Sequence, residues 1–178
     1  MRRSRKGERP PADVLSRARL PRGGKALASA RATDGTWLLG TRDALVLVPP
    51  DGDARRLRWE EVATADWARD EERLRVVELA EFGLTPVVHE LAIADPGLLL
   101  DLVRERVTAS VLLTRRVQVE RGRGLTVIAR RAPGGRGPVA WSYELDPGLD
   151  PDDPLVRVAA DQGLRQAREE LGPDPEVR

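Results

Sequence analysis

WLLGTRDALVLV (37–48), RRLRWEEVATADWARDEERLRVVEL (55–79) and PVVHELAIADPGLLLDLVRERV (86–107) carry the reading of this chain. Each apolar run is short, and each is cut by turn residues before it reaches helical length. Trp37, Leu38 and Leu39 read as a buried strand, and Arg42-Asp43 as a tight connection to a second one at 44–48. Pro49-Pro50-Asp51-Gly52 breaks the chain. Leu57 and Trp59 then alternate with Arg56 and Arg58, which places Trp59 on the apolar face of a strand. Two segments flank the charged turn at Asp70 to Glu72, the second of them LRVVEL at 74–79, and a seventh strand is expected over 86–93. The series ends on a helical pattern. Asp95 suits a helix N-cap and Pro96 a first helical position. Leu99, Leu102, Val103 and Val107 share one stripe, with Asp101, Arg104, Glu105 and Thr108 opposite, and the helix is expected to end near Ala109.

Upstream, KALASARA (25–32) suits a strand of small residues, followed by a turn at Thr33-Asp34-Gly35. Seven short strands and a closing amphipathic helix over 25–109 resemble the pleckstrin-homology-like (PH-like) barrel, an α+β fold. The resemblance rests on element order and on RRLRWEEVATADW beside LRVVEL. The chain also resembles uncharacterised actinobacterial proteins through LVRERVTAS (102–110) and RRAPGGRG (130–137). The PH-like resemblance implies binding of a protein surface, peptide or lipid headgroup. Lipid-binding members use basic residues around the first hairpin. Here that hairpin is only Thr33-Asp34-Gly35, with Lys25, Arg31 and Arg42 nearby, so a membrane lipid headgroup is not the expected ligand.

Residues 1–24 read as a flexible basic arm, rich in arginine and proline, with a possible short helix after Pro11. Residues 110–178 read as an accessory unit of three strands and a helix. Val111, Leu113, Val117 and Val119 fall at strand spacing, Gly122 turns a hairpin, and Val139, Trp141, Tyr143 and Leu145 alternate with polar residues. After the acidic linker DPGLDPDDP, Asp153 can cap a helix that begins at Pro154. Its stripe is Val156, Ala160, Leu164, Ala167 and Leu171, and Gly172-Pro173 stops it.

The chain has 178 residues and a net charge of +1, but the charge is unevenly spread. Residues 1–31 hold ten basic groups against Glu8 and Asp13, a net of +8, which leaves −7 for the remainder. There is no cysteine, so disulfides, thiolate metal sites and cysteine nucleophiles are excluded, and a reducing cytoplasm is the expected location. No apolar run approaches membrane-spanning length, and Arg2-Arg3 precede no apolar segment of the kind an export signal needs.

Catalytic signatures are missing. His89 is the single histidine, and no second one follows His89-Glu90 at zinc-protease spacing. Neither a nucleophile elbow nor a phosphate loop occurs, and the acidic run Asp150, Asp152, Asp153 lacks the spacing of a calcium loop. Neither enzymatic activity nor any metal or cofactor is therefore expected. Trp37, Trp59, Trp67 and Trp141 read first as core filler.

The strongest charged constellation is Arg115, Arg116, Arg121, Arg123, Arg130, Arg131 and Arg136 against Glu120 alone, a net of +6. Such a ribbon could lie along phosphates, which supply affinity without sequence preference. Two other readings stand beside it, and the first of them outweighs it. The arginines could be a solvated face in an arginine-biased composition, or could pair with the acidic helix. The expectation is a non-enzymatic binding or adaptor module with a protein partner. The alternative is nucleic-acid or ribosome association through the arm and the hairpin.

Overall fold

A computed structural model of the chain describes residues 8–173, so the expectations for residues 1–7 and 174–178 lie outside it. The fold is α+β, with three antiparallel sheets. The first contains β1 (Ala28–Arg31), β2 (Trp37–Gly40), β3 (Ala44–Val48) and β4 (Arg55–Arg58), paired in that order. The second contains β5 (Val62–Ala68), β6 (Arg73–Glu78) and β7 (Val88–Ala92). Every residue of β2 and β3 is buried, although their side chains must alternate between faces. Both faces are therefore covered. Leu38, Leu45, Leu47 and Leu57 face inward and pack with Leu74, Val76 and Leu91 of the second sheet and with Ile93 just after it. Trp37, Leu39, Val46 and Val48 face outward.

That outward face explains the N-terminal segment. The expected flexible arm at 1–24 is, over the described part, a packed element. Helix α1 (Ala12–Arg17) begins directly after Pro11 and sets Val14 and Ala18 on the outer apolar face. Arg17 donates to the carbonyl oxygens of Pro49 and Gly52. Composition alone argued for disorder, but a sheet with two apolar faces needs a second cover.

The expected barrel is not closed. The chain leaves β4 through a single 3-10 turn, Trp59–Glu61, and starts a separate sheet. Trp59 thus lies just past the strand rather than on its face. It is fully buried, and its indole N–H donates to the Thr41 carbonyl at 3.1 Å. At the opposite corner the Thr33 N–H meets the Ala92 carbonyl at 2.8 Å, which ties the end of β1 to β7.

Helix α2 (Leu99–Ser110) covers the opening between the two sheets. A Cβ on Gly40 would lie 2.6 Å from Leu102 Cδ2 and 3.1 Å from Leu99 Cδ1, so the two leucines pack directly on the glycine. The helix starts later than Asp95-Pro96 suggested. Asp95 Oδ1 accepts the Gly97 N–H at 3.3 Å, Gly97 takes a φ of 52°, and the helix begins at Leu99. A left-handed residue cannot lie inside a right-handed helix.

Helix α2 runs without a loop into the third sheet, β8 (Val111–Glu120), β9 (Arg123–Arg130) and β10 (Ala140–Leu145), with β9 in the middle. Helix α3 (Pro154–Leu171) packs on this sheet through Val156, Ala160 and Ala167, against Leu125 and Val127. Asp153 accepts the Leu155 N–H at 2.7 Å, as its position suggested. Gly163 brings helix and sheet close, since a Cβ there would lie 2.6 Å from Val117 Cγ2. Among the described residues no helix is long and apolar enough to cross a membrane.

Candidate binding surfaces

The arginine hairpin is largely spent on internal partners. Arg115 and Arg116 are neighbours on β8 and so face opposite sides of the sheet. Arg115 turns toward α3, donating to Glu170 Oε2 at 2.7 Å and Gln166 Oε1 at 3.2 Å. On the other side Arg116 holds both oxygens of Asp146, one of them at 2.9 Å. This guanidinium, helped by the Gly124 N–H, keeps the Asp146 carboxyl below its ordinary range. Arg123 pairs with Glu120 at 2.8 Å and reaches the Gly148 carbonyl at 3.3 Å. Arg131 is half-buried, and its main-chain N–H donates to the Ser110 carbonyl at 2.8 Å. Only Arg121 and Arg136 of the seven are exposed without an ion pair among the described residues. The seven side chains do not converge on one surface.

Arg130 has the opposite of a surface role. It is 4% exposed and fastens three elements together. One guanidinium nitrogen donates to the Val107 carbonyl at 3.2 Å and to Ser110 Oγ at 3.0 Å, both in the last turn of α2. The other donates to the Ala63 carbonyl on β5 at 2.7 Å. Among the described residues no carboxylate bonds it. Burial pushes its pKa below the ordinary guanidinium value, opposed by the more distant Glu144. Helix α2 has no basic residue of its own in the last turn, so Arg130 supplies the cation that its C-terminal carbonyls favour.

A cleft of about 570 Å3 lies where the second and third sheets meet. Its walls include Val77, Leu79 and Phe82 on one side and Tyr143 and Leu145 on the other. Phe82 and Tyr143 meet edge to face, with ring centroids 5.0 Å apart. At its border Glu78 accepts two bonds from Arg55, each 2.7 Å, and lies 2.6 Å from His89 Nε2. The Arg55 guanidinium, more than His89, holds the Glu78 carboxyl below its usual range. His89 is thus engaged in a hydrogen-bonded cluster with Glu78 and Arg55 across β4, β6 and β7. Among the described residues no group of three His, Asp or Glu side chains is placed to hold a metal.

A second cavity, about 810 Å3, is a groove between α1 and the outer edge of β1. Leu15, Leu27 and Leu98 line it, 40%, 53% and 46% exposed, with Arg9, Arg19 and Lys25 on its rim. Of the four tryptophans, Trp37 and Trp59 are core, while Trp67 and Trp141 are half-buried. Arg168 lies over the Trp141 ring at 5.7 Å.

Reading the sequence passed over the groove, because each of its leucines belongs to a different segment. One signal was available. Leu98, Leu99 and Leu100 are consecutive, and a helix edge cannot bury three in a row, so one apolar side chain had to turn outward. No family model, curated protein or solved structure matches the chain.

Proposed function

We propose that this chain is a non-enzymatic binding module whose partner is a protein. The observation that carries this reading is the contrast between its charged and apolar surfaces. Arg115, Arg116, Arg123 and Arg130 are committed to acceptors within the molecule, whereas the groove beside β1 exposes three leucines to solvent. Exposed apolar side chains gathered in a concavity are the usual mark of a protein-binding surface. Phosphate recognition needs arginines with unspent donors, and the hairpin retains few.

The PH-like reading of residues 25–109 belongs to the same proposal. Four strands, then three, then a helix over the gap between the sheets is the element order of that fold, and two separate sheets meeting at corners are compatible with it. A cytoplasmic location is part of the proposal as well, supported by the absence of cysteine.

The test is affinity capture of the tagged full chain from native cytoplasm, with and without nuclease. A defined protein complex that survives nuclease and moderate salt supports the reading. Capture that depends on intact RNA or DNA transfers the function to the nucleic-acid alternative.

A further inference from the structure

We propose that the groove beside β1 takes an acidic peptide segment with apolar side chains, added as an extra strand to the β1 edge. The proposal rests on the protein-binding reading above and names the site and the chemistry of the partner.

The first sheet begins with β1, so among the described residues one side of that strand has no partner strand within the sheet. The Ala32 N–H bonds the Thr36 carbonyl at 2.8 Å, and pairing continues through Ala30↔Leu38 and Ala28↔Gly40. Hydrogen-bonding direction alternates along an antiparallel strand, so Ser29 and Arg31 turn their main-chain groups away from β2. Thr33 follows the same alternation and donates outward, to Ala92. That bond closes the far end of the edge, and the Leu27 N–H turns inward to the Gly40 carbonyl at 2.8 Å, which leaves residues 28–31 for a guest strand. Four residues extend about 13 Å, enough to set two side chains on the groove. The Ser29 hydroxyl donates to the Glu8 carbonyl at 2.8 Å, and an edge without a partner strand is a template for pairing with another chain.

The groove then selects among possible guests. Leu15, Leu27 and Leu98 offer apolar surface for alternate side chains of the added strand. Arg9, Arg19 and Lys25 stand around them, and among the described residues no carboxylate lines the groove. A basic peptide would be repelled and an acidic one drawn in. A membrane fits less well, because the leucines lie in a concavity and a bilayer cannot follow the chain into it. Single-stranded nucleic acid would need aromatic platforms, and the lining has none.

The experiment selects binders from a phage library of random dodecapeptides on the full chain. The best peptide is then labelled and titrated by fluorescence anisotropy. Leu27→Asp, Leu98→Asp and the double variant Arg19→Glu/Lys25→Glu are titrated beside the parent, with melting curves to show that each is folded. Leu27 and Leu98 are exposed, so each variant is expected to fold. Selected peptides should alternate Asp or Glu with Leu, Ile or Val. Each leucine variant should weaken binding about tenfold or more, about 1.4 kcal/mol. The charge-reversed variant should weaken it similarly at low salt, with the difference shrinking as salt is raised. Basic consensus peptides, acidic peptides that bind all variants alike, or no selected peptide would each overturn the site. So would parent-specific binding to phosphatidylserine vesicles in place of peptides. A protein still captured by the Leu27→Asp chain would refute the groove while leaving the protein-binding reading intact. Loss of all nuclease-resistant capture by the parent would remove both.

Discussion

Replacing Arg130 with alanine separates a structural role for the hairpin from a phosphate-binding one. The guanidinium makes three hydrogen bonds, but their loss is not equally costly. The Val107 carbonyl also accepts the Ser110 hydroxyl at 2.7 Å, so neither of those groups is orphaned. The half-buried Ala63 carbonyl loses a hydrogen bond from a charged donor, worth about 1.5–3 kcal/mol. Truncating a buried stem to alanine leaves a void worth about 2 kcal/mol or more. Loss of the cation at the C-terminus of α2 adds about 0.3–1 kcal/mol. Relief of the charge's burial works the other way, since removing an ion from a poorly solvated site returns part of its desolvation cost. The balance predicts a loss of about 3–5 kcal/mol for Arg130→Ala. Arg130→Met keeps the stem, so a smaller loss of about 1–3 kcal/mol is expected. Urea unfolding followed by circular dichroism measures both. Equal stability of parent and Arg130→Ala, combined with weaker RNA binding by the variant, would refute the reasoning and return Arg130 to the surface.

Four further outcomes are expected. Trp59→Ala should lose about 3–5 kcal/mol in the same unfolding assay, because a fully buried indole and its bond to Thr41 vanish together. Gly163→Val should lower the melting temperature more than Gly163→Ala, and a β-branched residue tolerated there would contradict the close contact with Val117 and Val127. Acid should destabilise the fold in a defined direction. Glu78 and Glu61 have carboxyls held below their ordinary values by Arg55 and Arg58, so their contribution is complete above the unfolded-state value of about 4.3 and is lost as pH falls below it. Melting temperature should therefore drop between about pH 5 and pH 3, and Glu78→Gln should flatten that drop; a parallel curve for the variant would exclude the Arg55 pair as its source. Finally, duplex RNA and DNA titrated against the parent and against Arg121→Ala/Arg136→Ala should show feeble binding for both. Submicromolar binding at physiological salt, lost in the variant, would favour the nucleic-acid alternative.

The third sheet and the first two are joined by more than sequence adjacency. Helix α2 passes directly into β8, Arg130 on β9 grips the end of α2 and β5, and Phe82 meets Tyr143 across the cleft. The accessory unit is thus fastened where the seven-strand body is otherwise open. The cleft between them and the groove beside β1 lie at different boundaries of the molecule and are lined by different residues.

Local signals determined the elements. Turn residues after each apolar run placed β2 to β7 within a few positions, because a strand signal and the residue that ends it are both short-range. Period-two spacing located β8, and Asp153, Pro154 and Gly172 bounded α3. Three features were decided only by the tertiary structure. The outer apolar face of the first sheet recruits α1, a consequence of two strands buried on both sides, which composition at residues 8–24 could not report. The arginines of the hairpin acquire partners from α3, Asp146 and the end of α2, all distant in sequence, so charge that reads as a patch in one dimension is neutralised in three. The groove arises because Leu15, Leu27 and Leu98, each unremarkable in its own segment, are brought side by side by the packing of α1 and α2 against β1. Local chemistry selects strand, turn and cap; which surfaces remain exposed depends on what the rest of the chain covers.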